Sequence, residues 1–222
     1  MNIHDSGWRF TTIPALCERA AEVYGDETAV EDGQKRLTFV ELDAVRRQVA
    51  KALMATGVKK GDRVMIWAPN TWKWFVAALG LVSAGAVLIP TSTRFKGMEV
   101  EELMRRSGAT MLFSCGDFLG QYYPQQLRAE ARALLHTVVV FDGARPGETA
   151  WEDFLARGES VSDAALAERQ ASVGPDDLCD MLFTSGTTGY PKGVMYGHRQ
   201  CLMAIDAWAT RVGIRRGDRV LV

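Results

Sequence analysis

Short, almost wholly apolar runs alternate along this chain with longer amphipathic stretches, and that alternation restricts its fold more than any other feature. Residues 63–67 (Arg-Val-Met-Ile-Trp), 87–89, 111–114 and 137–141 are such runs, and Val138-Val139-Val140 has no polar position at all. Strands that are near-continuously apolar are those buried on both faces, as in parallel sheets. Between them, residues 72–84 and 99–107 have the spacing of helices. The order strand, helix, strand, helix predicts an α/β fold, with mostly parallel sheets and helices on both faces.

Local signals fill in the rest. Residues 13–24 read as a helix that Gly25 ends. Asp32-Gly33 between residues 28–31 and 35–38 is a hairpin signal. Thr38 with Glu41 three residues on is a capping box, and Leu42, Val45, Val49, Leu53 and Met54 continue it as an amphipathic helix up to Gly57. Residues 142–149 read as a loop, and residues 156–177 as an alanine-rich surface helix with a connection. A strand over 178–184, a second over 194–196 and a helix from near Arg199 follow. Residues 74–93 carry no charge and are long enough to cross a bilayer, but Gly80, Ser83, Gly85 and Pro90 interrupt them. They read as a buried helix, a glycine turn and a buried strand, with no transmembrane segment.

Composition narrows the function classes. The net charge is −1 over 222 residues, without the basic surplus that a sequence-independent grip on nucleic acid needs. Cys17, Cys115, Cys179 and Cys201 are far apart and form no Cys-x-x-Cys pair, which argues against structural zinc. They read as small buried hydrophobes in a reducing, cytoplasmic compartment. The first ten residues have no apolar core of a secretory signal.

Residues 57–66 are echoed almost position for position by residues 213–222: Gly-Val-Lys-Lys-Gly-Asp-Arg-Val-Met-Ile against Gly-Ile-Arg-Arg-Gly-Asp-Arg-Val-Leu-Val. Chance recurrence of helix-stop, basic turn and strand chemistry is one reading. The other is two related α/β subdomains, the first over about residues 1–170 and the second starting at 171. The second copy stops within its strand, so the chain is expected to be a fragment of a longer protein.

Residues 184–194 read Thr-Ser-Gly-Thr-Thr-Gly-Tyr-Pro-Lys-Gly-Val. Glycines let successive backbone N–H groups turn toward one point, Ser and Thr hydroxyls add donors, and a lysine adds full positive charge. That chemistry suits phosphate oxygens. It is not a Walker A loop, because Pro191 and Gly193 stand where glycine and Ser or Thr are required. Nor is it the Rossmann Gly-x-Gly-x-x-Gly. A loop between two strands, rather than one opening a helix, is expected.

Residues 184–194 resemble the phosphate-binding signature of the adenylate-forming superfamily, which includes acyl-CoA synthetases, peptide-synthetase adenylation domains and insect luciferases. Ala68-Pro69-Asn70, Gly85-Ala86, Ile89-Pro90 followed by Arg94 and Glu99, and His198 are similar to acyl-CoA synthetases in the same order. Pro69-Asn70-Thr71-Trp72, Phe118-Leu119-Gly120 and residues 180–189 look closest to actinobacterial ligases of fatty-acid or steroid-ring breakdown. The resemblance covers the first part of the family's large N-terminal domain. It implies an acid–thiol ligase that joins a fatty or steroid-derived carboxylic acid to AMP, releasing pyrophosphate, and passes the acyl group to coenzyme A. ATP, Mg²⁺ and coenzyme A are the implied cofactors and co-substrates.

By the same resemblance Thr184, Ser185, Gly186, Thr187, Thr188, Gly189, Lys192 and Gly193 hold the phosphates. Thr184 and Lys192 are the catalytic candidates, and Thr187 lies near Mg²⁺. Lys192 steadies either the loop or the phosphates, and His198 is either a packing residue or a site residue. The family's adenine, ribose and acyl pockets and its small C-terminal domain lie downstream, so the chain alone is expected to be inactive. A peptide-synthetase adenylation domain and a non-enzymatic nucleotide- or partner-binding protein are the alternatives. An exposed sheet edge would also allow a homodimer.

Overall fold

The computed structural model describes residues 11–184 and 191–221. The chain begins with α1 (Ile13–Tyr24), the hairpin β1 (Thr28–Asp32) and β2 (Lys35–Thr38), and α2 (Phe39–Ala55). Next come β3 (Arg63–Trp67), α3 (Trp72–Ser83), β4 (Val87–Thr91), α4 (Gly97–Ser107) and β5 (Met111–Ser114). A small hairpin, β6 (Asp117–Phe118) and β7 (Gln121–Tyr122), precedes α5 (Ala129–Arg132), β8 (Thr137–Val140) and β9 (Thr149–Ala150). The remainder is α6 (Trp151–Arg157), α7 (Asp163–Ala171), β10 (Leu178–Thr184), β11 (Lys192–Gly197) and α8 (His198–Val212).

Seven strands form one sheet in the order β11-β10-β4-β3-β5-β8-β9. Only the β10–β11 pair is antiparallel, so the sheet is mostly parallel, as the apolar runs predict. β4 lies on one side of β3 and β5 on the other. With right-handed crossovers this sends α3 and α4 to opposite faces. Val64, Met65, Ile66, Leu112, Phe113, Val139 and Val140 are fully or almost fully buried between those layers.

The capping box forms as read: the Thr38 hydroxyl accepts from the Glu41 N–H, and the Glu41 carboxylate accepts from the Thr38 N–H at 2.8 Å. Residues 74–93 are a buried helix and strand joined at Gly85, and among the described residues no helix is long and apolar enough to cross a membrane. α2 packs on α3 at Gly80, where an added Cβ would stand 2.4 Å from Val49 Cγ1. The same interface buries the guanidinium of Arg46, which donates to the Ser83 hydroxyl at 2.7 Å and to the Asp43 carboxylate. β4 runs on through Pro90 to Thr91. Proline costs a ladder donor, but β10 is registered with β4 only at Asp180 and Leu88, so the ladder partner of Pro90 is Ile66 of β3.

The two echoed segments build the same turn. Gly57 and Gly61 have φ of +91° and +85°, and Gly213 and Gly217 have +73° and +93°, values that favour glycine. The Asp62 carboxylate accepts from the Lys59 N–H at 2.8 Å, and the Asp218 carboxylate from the Arg215 N–H at 2.7 Å. Both aspartates therefore serve turns. The copies then diverge: residues 63–67 enter the centre of the sheet, whereas residues 219–221 pair with no strand. Arg219 instead meets Glu31 at 3.0 Å. The strands after residue 171, where a second subdomain is expected to start, extend this same sheet at its edge.

No signal in the sequence marks an element over residues 151–155, yet α6 lies there and Trp151 and Phe154 are fully buried. Its N-cap, Ala150, makes no side-chain cap bond, so the usual start signal is missing.

Candidate functional site

β10 and β11 hold the two ends of the glycine- and threonine-rich motif. Their antiparallel register pairs Leu182 with Val194, Phe183 with Gly193, and Thr184 with Lys192. The two catalytic candidates thus stand opposite each other at the last ladder position before the loop, both exposed. Ser185, Gly186, Thr187, Thr188 and Gly189 lie outside the described residues. The loop's exit is tied to α4, whose Arg106 donates to the Pro191 carbonyl at 3.3 Å.

Gly193 has a packing reason for being glycine. A Cβ there would stand 3.3 Å from the Phe183 ring and 3.4 Å from the Met181 side chain. The glycine lets the two strands close over that ring, whatever the loop binds.

His198 opens α8 and is fully buried. Its Nδ1 accepts the backbone N–H of Ile13 at 3.2 Å, so the proton sits on Nε2, which has no hydrogen-bond partner among the described residues. Burial pulls the imidazole down to about 4, although the Asp177 charge opposes this. A neutral histidine that fixes the start of α1 against α8 is a packing residue. Segment 174–177 is fastened to the same place: Asp177 takes the Lys60 ammonium and the Gly174 N–H, both at 2.6 Å, and the Arg199 N–H donates to the Pro175 carbonyl.

Two features near the motif escaped the sequence reading. Asp180, an acid within the apolar strand β10, has Oδ1 buried without a partner among the described residues, and burial pushes its carboxyl up to about 6. The signal was present: a lone carboxylate in a strand whose neighbours are Met181, Leu182 and Phe183. A cavity of about 400 Å³ lies at the C-terminal ends of β3 and β4, lined by Ala68, Pro69, Asn70, Trp74, Thr91 and Thr93 among others. Open parallel sheets bind ligands at that end. Its floor is fixed, because the Trp67 indole donates to the Ser92 carbonyl at 3.2 Å and the Tyr123 hydroxyl to the Thr93 carbonyl at 2.8 Å.

His198 and Asp180 give opposite pH dependences. Unfolded, they titrate near about 6.5 and 3.9. Between about pH 6.5 and 4 the unfolded chain binds a proton at residue 198 that the folded chain does not, so stability falls as pH falls. Over much of that range the folded chain holds a proton at Asp180 that the unfolded chain does not, so stability rises as pH falls. Each slope is at most about 1.4 kcal/mol per pH unit, and the two offset each other. Urea unfolding of Asp180→Asn should lose stability more steeply than wild type from pH 7 to 4.5, and His198→Gln less steeply. Parallel pH profiles for all three proteins would refute the burial of both groups.

The sequence profile described as "AMP-binding enzyme" matches residues 17–222. This chain belongs to that family. It is 41% identical over 218 residues to the 3-[(3aS,4S,7aS)-7a-methyl-1,5-dioxo-octahydro-1H-inden-4-yl]propanoyl:CoA ligase of Rhodococcus jostii, covering 96% of this chain and 42% of that protein. The ligase of the same name from Mycobacterium tuberculosis is 43% identical, with 95% and 41% covered. Among solved structures, the N-terminal domain of FACL13 from Mycobacterium tuberculosis superposes with a TM-score of 0.79 at 26% identity, covering 96% of this chain and 51% of that one. The anthranilate CoA ligase AuaEII gives 0.78 at 25% identity, with 95% and 39% covered. The chain therefore spans about two fifths of the length of the two curated ligases it matches.

Proposed function

We propose that this chain is the nucleotide-phosphate-binding part of an ATP-dependent acyl-CoA ligase, and that the acid it serves is a fused-ring, steroid-derived propanoate. The family membership supports the first half of that reading. The 41–43% identity to two ligases named for a methyl-dioxo-octahydroindenyl propanoate supports the second. The observation that carries it is the register that pairs Thr184 with Lys192, the residues of β10 and β11 that flank the motif's middle.

Adenylation brings a carboxylate to a triphosphate, so two anions must meet and negative charge must be neutralised where it develops. In this reading Lys192 places its ammonium against the β- and γ-phosphate oxygens. Thr184, Ser185, Thr187 and Thr188 donate hydroxyls, and Gly186, Gly189 and Gly193 allow close backbone approach. The described donors fit an anion. Among the described residues no group of three His, Cys, Asp or Glu side chains could hold a metal. In this reading Mg²⁺ would come with the phosphates and offset their charge, and Thr187 would lie near it. Coenzyme A supplies the thiol that accepts the acyl group.

The rest of the two ligases' length has no counterpart in these 222 residues. The purified chain is accordingly expected to give no ATP–pyrophosphate exchange above a Lys192→Ala control with octahydroindenyl propanoate present. Exchange above that control would show that the chain completes adenylation by itself.

A further inference from the structure

All four cysteines are free thiols, and two of them meet. Cys179 on β10 and Cys201 in the first turns of α8 are 22 residues apart in sequence, yet their Sγ atoms lie 3.5 Å apart. The Cys179 side chain is buried beneath α8, and Cys201 is half-buried at its edge. Forming a bond of about 2.05 Å needs an approach of only about 1.5 Å. We propose that Cys179 and Cys201 form a dithiol couple that hydrogen peroxide or an organic hydroperoxide converts into an intrachain disulfide.

The geometry assigns each sulfur its part. Cys201 is the more accessible of the two, and the single Cys179 S–H is shared between the Cys201 sulfur at 3.5 Å and the Tyr196 carbonyl at 3.6 Å. The first of these contacts holds the Cys201 thiol below its ordinary range, while the same contact and burial push Cys179 up. Cys201 therefore supplies the thiolate. Its sulfur attacks one peroxide oxygen, the O–O bond breaks, and hydroxide leaves to take up a proton. The Cys179 sulfur then attacks the sulfur of the Cys201 sulfenic acid, the S–O bond breaks, and water departs with the Cys179 proton. Two thiols lose two hydrogens, and one hydrogen peroxide becomes two waters, or one organic hydroperoxide an alcohol and a water. Cys17 and Cys115 take no part. Burial pushes their thiols up to about 11 and about 12.

The bond would close residues 179–201 into a ring containing all of β10 but Leu178, the whole motif and β11. Oxidation would thus fasten the start of α8 to the strand that feeds the loop. The couple itself does not depend on what the loop binds.

The test uses the wild-type protein, freed of reductant and treated with one equivalent of hydrogen peroxide. Titratable thiols in denaturant should fall from four to two. The intact mass should drop by two hydrogens, a peptide map should join Cys179 to Cys201, and dithiothreitol should restore the starting state. Cys17→Ser/Cys115→Ser should behave like wild type, and Cys179→Ser and Cys201→Ser should each lose the mass change. Four thiols remaining, a bond to another cysteine or to a second chain, or Cys201 passing to sulfinic acid with Cys179 still reduced would each overturn the proposal.

Discussion

Trp151→Ala is expected to lower the unfolding free energy by about 3–5 kcal/mol, the usual cost of deleting a buried tryptophan. Trp151 is 2% exposed and is the hub of an aromatic cluster. Its ring centroid lies 5.3 Å from Phe141, 5.9 Å from Phe154, 6.3 Å from Phe113 and 6.5 Å from Trp72. Phe113 is on the interior strand β5, and Phe141 follows β8. The indole therefore joins α6 to two strands and to the first turn of α3. No small shift of a single neighbour refills that volume, so the cavity term stays in full. Urea unfolding followed by far-ultraviolet circular dichroism reads the loss as a lower midpoint at constant slope. Trp208→Ala on the exposed side of α8 is the control, with an expected change within about 0.5 kcal/mol. Equal effects of the two substitutions would place Trp151 outside the core.

The second large effect falls on the candidate site. Lys192→Ala should weaken pyrophosphate binding by about ten- to a hundredfold. A hydrogen bond to a charged group contributes about 1.5–3 kcal/mol, and each 1.4 kcal/mol is tenfold in affinity. Lys192 is the one lysine among the residues proposed to hold the phosphates, and the ladder pair with Thr184 fixes its backbone. Thr184→Val removes a neutral donor and should cost less, on the order of 0.5–1.5 kcal/mol. Neither change touches the buried core, so both proteins should unfold at the wild-type urea midpoint. A variant that lost affinity together with stability would point to a structural role for the strand pair instead.

The sheet was legible because its central strands are buried on both faces. Residues 64–67 and 111–113 are apolar throughout, and strands β3 and β5 occupy them. Hairpin, capping box and glycine stops were legible because each depends on neighbours a few residues apart. What stayed hidden depends on contacts between distant segments. α6 starts without a capping side chain, so only its burial against Phe113 and Phe141 explains it. The role of His198 was undecidable until α1 was seen to place the Ile13 N–H against it, 185 residues away in sequence. The contact of Cys179 with Cys201 arises only when α8 folds back over β10, and a search for Cys-x-x-Cys pairs could not find it. The site was legible as a motif and as two flanking strands. Pairing of Thr184 with Lys192 needed the register.

Titration of pyrophosphate into the wild-type chain and into Lys192→Ala, followed by the phosphorus-31 resonance, tests most directly that this chain carries the phosphate-binding part of an acyl-CoA ligase. Saturable broadening or shift with the wild type, displaced by ATP and weakened at least tenfold in the variant, is the predicted result. An unchanged resonance with the wild type, or equal binding by both proteins, would contradict the account.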